Sequence, residues 1–168
     1  MALIIETGTG RSDGEAYADA TAYAAWHLAY YGTAATGTTA AQEAAIRRAV
    51  RYLDALRWSG APSYGRAQAL AWPRSGVIDR NGYPVAGDSI PPEVIEAQHM
   101  LTRAEVASPG VLSPDVTLRD QKVLTEVDGI KWTPLAGGAG VTSARPVVTA
   151  AMDRLSGLIT TGATIARA

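Results

Sequence analysis

The chain has 168 residues, 47% hydrophobic and 18% charged, with a net charge of −1 and neither cysteine nor phenylalanine. That length suits one domain able to bury a core without cross-links, and the composition excludes a disordered chain. Missing thiols exclude disulfides and thiolate metal sites, and near-neutrality removes any overall electrostatic claim on nucleic acid.

Residues 1–18 read as an extended lead-in. Leu3-Ile4-Ile5 can add a short strand, and Thr7-Gly8-Thr9-Gly10 and Ser12-Asp13-Gly14 form turns. The opening Met1–Glu6 lacks the basic n-region of a signal peptide, and no stretch approaches the ~18 apolar residues of a membrane span. A first helix is predicted from the N-cap Asp19 to about Tyr31, with Gly32 as C′ residue and Ala22, Trp26 and Ala29 or Tyr30 on its inner face. A flexible Gly/Thr/Ala connector spans 32–38.

The second helix has the clearest pattern. Thr39-Ala40-Ala41-Gln42 matches a capping box. Ile46, Ala49, Val50, Leu53 and Leu56 make one apolar stripe, and the helix is expected to end near Arg57-Trp58. Residues 59–90 are irregular and rich in Gly, Pro and Arg, with a short helical piece near Arg66–Ala71 that Pro73 stops. Asp79-Arg80-Asn81-Gly82 is a tight turn. Loops of this length usually have a task.

A third helix starts at Pro91-Pro92-Glu93, carries Val94, Ala97, Leu101 and Ala104 inward, and ends at Ser108-Pro109-Gly110. Gln121–Val127 and Ile130–Thr133 flank Asp128-Gly129 as a β-hairpin with a type I′ turn. Gly137–Gly140 is a linker. The last helix is expected from Pro146, with Val148, Met152 or Ala151, Leu155 and Ile159 on one face. The expected organisation is one helical domain over 1–159, with the hairpin at 121–134 as an appendage, and a flexible tail at 160–168.

No residue set carries catalysis. Gly8-x-Gly10-x-x-Asp13 is not G-x-G-x-x-G, and no P-loop lysine follows. His27 and His99 lack the partners of a metal or catalytic pair. Asp79-x-Asn81-Gly82 lacks the spacing and final Glu of a calcium loop. Glu93 and Glu96 suit a helix N-terminus rather than acid–base work. Neither enzyme activity, cofactor nor metal is expected. Arg47, Arg48 and Arg51 with Tyr52 and Trp58 could touch phosphates and stack bases, but the same residue types favour protein interfaces, which neutrality supports.

Charge is distributed in blocks. Residues 43–80 hold seven Arg against three acids, and residues 81–128 hold eight acids against three bases. A basic face on one subunit meeting an acidic face on the next suits a head-to-tail ring. The expected inter-subunit set is Trp72, Arg74, Arg80, Asp88, Glu93 and Glu96. Trp72 also anchors the long loop on the core, while Arg74 and Arg80 stay free to meet the neighbour's acids.

The segment Ala69-Leu70-Ala71-Trp72-Pro73-Arg74-Ser75-Gly76-Val77-Ile78-Asp79-Arg80-Asn81-Gly82-Tyr83-Pro84-Val85 resembles a signature of tailed-bacteriophage head–tail connector, or adaptor, proteins. Members often carry a DnaT-like single-stranded-DNA-binding label. Leu3–Gly10 with Tyr17, Ala44–Asp54 with Trp58, Ile90–Val94, and Arg145–Val148 with Leu155 resemble further parts of that family in order, over most of the chain. The connector 32–38 and the apolar-poor tail beyond Ile159 depart from its pattern.

The resemblance implies a mainly α, roughly four-helix adaptor with long loops and a small hairpin. It implies a structural virion protein, made in the bacterial cytoplasm, that forms a ring, commonly a dodecamer, beneath the portal. Such a ring extends the DNA channel, passes double-stranded DNA without reading its sequence, and offers a platform to stopper or tail proteins. In related adaptors the C-terminal segment docks into the portal, which assigns Leu155, Leu158, Ile159, Ile165 and Arg167 to that contact. The rival readings are single-stranded-DNA binding and a neighbouring stopper or tail terminator.

Overall fold

The structure is a computed structural model that describes residues 2–113, the backbone of 122–126 and 131–134, and residues 148–160. Among the described residues there are four α-helices: α1 (Ala20–Tyr31), α2 (Thr39–Asp54), α3 (Pro92–Ala107) and α4 (Thr149–Arg154). Two small antiparallel pairs accompany them: β1 (Ala61–Pro62) with β2 (Arg74–Ser75), and β3 (Lys122–Glu126) with β4 (Lys131–Pro134). The mainly α fold with a β-hairpin is the expected one. The Asp128-Gly129 turn and the Gly137–Gly140 linker lie outside the described residues.

The core sits between α2 and α3. Ile46, Ala49, Val50 and Leu53 of α2 are buried, as their spacing predicts, against Val94, Ala97 and Leu101 of α3. To this core α4 adds Ala151, and the residues after it add Leu155 and Leu158. The loop between α2 and α3 contributes Trp58, Leu70, Trp72 and Val77 to the same core.

Helix ends follow the cap chemistry with one shift. Asp19 accepts the Ala22 N–H at 2.8 Å, and Gly32 closes α1 in the left-handed region. The N-cap of α2 is Thr38 rather than Thr39, and its hydroxyl accepts the Ala41 N–H. Gln42 reaches back to the Thr36 and Gly37 carbonyls, not to the cap's own N–H, so no reciprocal box forms. α2 ends at Asp54, before the expected Arg57-Trp58.

Two expectations are corrected. α1 is rotated: Ala22, Ala29 and Tyr30 face solvent, Trp26 is half-buried, and Ala20 and Tyr23 are its buried residues. An alanine-rich helix is apolar on most faces, so spacing alone does not select the inner one. α4 stops at Arg154 instead of reaching Ile159. The chain turns at Gly157, where φ is +95°, and brings Ile159 back to pair with Trp58. Thr160, expected in a free tail, donates its N–H to the Arg57 carbonyl at 2.7 Å. Residues 161–168, with Ile165 and Arg167, lie outside the described residues.

Candidate functional site

The long loop is held from inside by polar groups that bond across it, while the buried Trp72 Nε1 has no hydrogen-bond partner. The foundation is the lead-in. Ile5 and Ala16 form a bridge, and between them the chain turns around the Glu6 carboxylate, which is 1% exposed. One carboxylate oxygen accepts the N–H groups of Gly8, Thr9 and Gly10, at 2.7, 2.7 and 3.1 Å, and the other accepts that of Arg11. The apparent phosphate loop is thus a nest already filled by its own side chain. Gly8 must be glycine here, because a Cβ would lie 1.9 Å from the Asp88 carbonyl oxygen at a φ of +112°.

The next tier joins Tyr17, Asp54 and the Trp72 segment. The Tyr17 hydroxyl donates to Asp54 Oδ1 at 3.1 Å, and the Ala71 N–H donates to the same oxygen at 2.9 Å. The Trp72 N–H donates to the Tyr17 hydroxyl at 3.2 Å. Burial raises the Asp54 pKa against the two hydrogen bonds that lower it. Burial also drives the Tyr17 pKa well above its ordinary value, and the Asp54 charge adds to this. Gln98 of α3, fully buried, clamps the start of α1 by accepting the Tyr17 N–H and donating to the Ala18 carbonyl.

Within the loop, Gln68 accepts the Tyr64 N–H and donates to the Leu70 and Pro73 carbonyls. The Trp72–Pro73 peptide bond is cis. The Trp72 side chain is fully buried, edge-on to Trp58 with centroids 5.6 Å apart. The expectation that Trp72 anchors the loop is therefore met, and Trp72 presents no surface to a neighbour.

Arg74 is the clearest correction. It is not free: the residue is 9% exposed, and its guanidinium donates to the carbonyls of Ser59 at 2.7 Å, Gly60 at 2.8 Å and Ala71 at 3.1 Å. Burial lowers its pKa from the ordinary arginine value. Five fixed donors suit an arginine to stapling several carbonyls at once, without any anion.

Several other charges pair within the chain. Arg47 pairs with Glu15, and Arg48 pairs with the buried Glu105 of α3. Glu105 also accepts the Gly110 and Leu112 N–H groups at 2.8 and 3.0 Å. Burial raises the Glu105 pKa, but these bonds and the Arg48 charge outweigh it and the net shift is downward. Arg154 bonds Glu96 and approaches Glu93, and Tyr30 donates to Glu96 at 2.8 Å. The Arg48–Glu105 pair thus joins the basic and acidic blocks within a single chain. Of the expected interface set, Arg80 and Asp88 are exposed, Glu93 is half-buried, and Glu96 is already engaged.

The proposed base-stacking face does not assemble. Tyr52 and Trp58 are buried, and Arg47 and Arg48 are paired, which leaves Arg51 exposed. Nor are Leu155 and Leu158 available to a portal, because both lie in the core with at most 3% exposure. Ile159 is half-buried.

An aromatic group on α1 and α3 stands in contrast. Trp26 stacks on His99 at 5.4 Å and meets the tilted Tyr30 ring at 5.0 Å, and the Arg103 guanidinium lies 4.3 Å from the Tyr31 ring centre. Leu28, Tyr30 and Tyr31 are exposed by 55, 61 and 44%. Burial lowers the His99 pKa to about 4. The signal was present in the i, i+4 pairs Trp26/Tyr30 and His27/Tyr31, which put a ring ladder on one side of the helix.

No group of metal-ligating side chains occurs among the described residues, and no described helix is long and apolar enough to cross a membrane. The model of a protein family described as "Putative DnaT-like ssDNA binding protein" matches residues 1–168. No curated protein and no solved structure matches the chain.

Proposed function

For a chain that belongs to the DnaT-like ssDNA binding protein family, we propose a structural, non-enzymatic role as a head–tail connector subunit of a tailed bacteriophage. In this reading copies form a ring, in the dodecameric form common to such adaptors, between the portal and the stopper or tail proteins. Double-stranded DNA passes through without sequence-specific contact. The protein is made in the host cytoplasm and resides in the virion.

One observation carries the reading. Arg47, Arg48, Arg74 and Arg154 are committed to partners inside the chain, the exposed Arg51, Arg57, Arg66, Arg80 and Arg103 are divided among α2, the long loop and α3, and large apolar side chains on two separate elements, Leu28, Tyr30 and Tyr31 on α1 and Ile78 and Tyr83 on the long loop, face solvent. Nucleic-acid binding needs free cations grouped to track phosphates. Apolar side chains left outside the core suit a subunit completed by neighbours. The resemblance over the Ala69–Val85 signature supports that location.

Single-stranded-DNA binding is the second reading, favoured by Arg103 over Tyr31 beside Tyr30 and Trp26, an arrangement able to stack bases. A stopper or tail terminator shares the structural class. Anisotropy titration with a labelled oligonucleotide over a salt series, beside co-sedimentation with purified portal rings, tests the choice. The connector reading expects portal binding with weak, non-specific DNA affinity. Tight single-strand binding with a steep salt slope and no portal binding would overturn it.

A further inference from the structure

We propose that Asn81 is a site of spontaneous deamidation, and that Asp79 sets its rate by holding both nitrogens that must react. This chemistry stands apart from the connector role and needs no assembly.

The sequence supplies the reactants. Asn81 is the chain's one asparagine, and a glycine follows it. Deamidation begins when the backbone nitrogen of the next residue attacks the asparagine Cγ. A glycine brings no Cβ to obstruct that approach. The new bond from the Gly82 nitrogen to Cγ closes a five-membered succinimide, and the bond from Cγ to Nδ2 breaks. The Gly82 nitrogen gives its proton to solvent, the leaving nitrogen takes one up, and ammonia departs. Water then opens the ring at either carbonyl, giving aspartate or isoaspartate. Water is the sole co-reactant. Glutamines compete poorly, because their longer side chains must close a six-membered ring.

The structure supplies access and restraint. Asn81 and Gly82 are both exposed, so water reaches the reacting atoms. A Cβ built on Gly82 would meet nothing within 4 Å, so nothing packs over this stretch of backbone. The restraint comes from Asp79. The Gly82 N–H, whose nitrogen must attack, donates to the Asp79 carbonyl at 3.0 Å. Asn81 Nδ2, which must leave, donates to Asp79 Oδ2 at 3.4 Å. Asp79 Oδ1 accepts the Asn81 and Tyr83 N–H groups at 2.8 Å each, and the Asp79 N–H donates to the Tyr83 carbonyl at 2.9 Å. These bonds, that of Tyr83 foremost, hold the Asp79 carboxyl in its charged form. A fixed negative charge opposes the anionic nitrogen that attack requires. Asn81 therefore reacts when the turn opens, and a surface turn opens without unfolding the core.

Conversion changes the turn itself. It adds a carboxylate beside Asp79 and Glu93, which line one small cavity with Asn81. Isoaspartate also lengthens the backbone inside the turn. Both changes fall between Ile78 and Pro84, which pair across it, and next to the exposed Tyr83.

Intact-mass spectrometry reads the reaction directly, because the chain has no second asparagine. The purified chain is held in mildly alkaline buffer beside a synthetic peptide of residues 77–85, too short to keep the turn in water. We expect the folded chain to convert about tenfold more slowly than the peptide, since hydrogen bonds must break before attack. Asp79→Ala, with its circular dichroism unchanged, is expected to convert at about the peptide's rate, and Asn81→Ser to remove the mass gain. Peptide mapping should find aspartate and isoaspartate at position 81. Equal rates for the folded chain and the peptide would remove the restraint without recourse to any variant, and equal rates for the chain and Asp79→Ala would take Asp79 out of it. A folded Asp79→Ala that gains no mass, or a gain that survives Asn81→Ser, would overturn the site.

Discussion

The loop between α2 and α3 and the helix α1 reverse the usual association of regular structure with the interior. The loop has almost no regular structure, yet it places Trp58, Trp72 and Val77 in the core and staples its carbonyls with Gln68 and Arg74. α1 is a well-capped helix of 12 residues, yet only Ala20 and Tyr23 are buried. What fixes a segment is whether its polar backbone groups find partners and its large side chains find a cavity. The loop meets both conditions at Trp58, Trp72 and Val77, although Ile78 and Tyr83 stay in solvent. α1 meets the first alone and leaves its aromatic ladder for something else to cover.

Breaking the loop's anchor gives the largest expected effect. Trp72→Ala removes the largest fully buried side chain and is expected to cost about 3–5 kcal/mol in urea unfolding. Glu6→Ala leaves four N–H groups of the nest without their acceptor and is expected to cost on the order of 3 kcal/mol. A cost near zero would show that water replaces the carboxylate.

The pH dependence sharpens the comparison at the α1–α3 contact. The His99 imidazole takes up a proton near pH 6.5 when unfolded and near 4 in the fold, chiefly because it is buried, with Glu96 and Asp19 opposing weakly. The unfolded chain thus binds more protons in this window. The stability held by neutral His99 is complete above pH 6.5 and declines as pH falls toward 4. His99→Phe should flatten that limb in thermal unfolding between pH 4 and 7. The smallest effect belongs to the outer face of α1. Leu28→Ser is expected to change stability by no more than about 0.5 kcal/mol, and a larger loss would mean that this face is packed within the chain.

The sequence showed these regions unequally. α2 was legible because four charged or polar positions alternate with an unbroken Ile46–Leu53 stripe. Asp19, Gly32 and the Asp79–Gly82 turn were legible because cap and turn chemistry is local. The interior of the loop was not. Gln98 meets Tyr17 across 81 positions, and Tyr17 meets Trp72 across 55, separations that no periodicity encodes. Arg74 looked free because a run of Arg in a loop ordinarily lies at the surface; three converging carbonyls appear only once the chain has folded. The same holds for the opposed charge blocks, whose members Arg48 and Glu105 meet within one chain.

Single-particle cryo-electron microscopy of virions carrying this protein tests the structural role most directly. The account predicts a ring of this chain between portal and tail, with the Trp72 loop folded inward and α1 and the Tyr83 turn at contacts between molecules. Intact portal–tail junctions from which the chain is missing would contradict it.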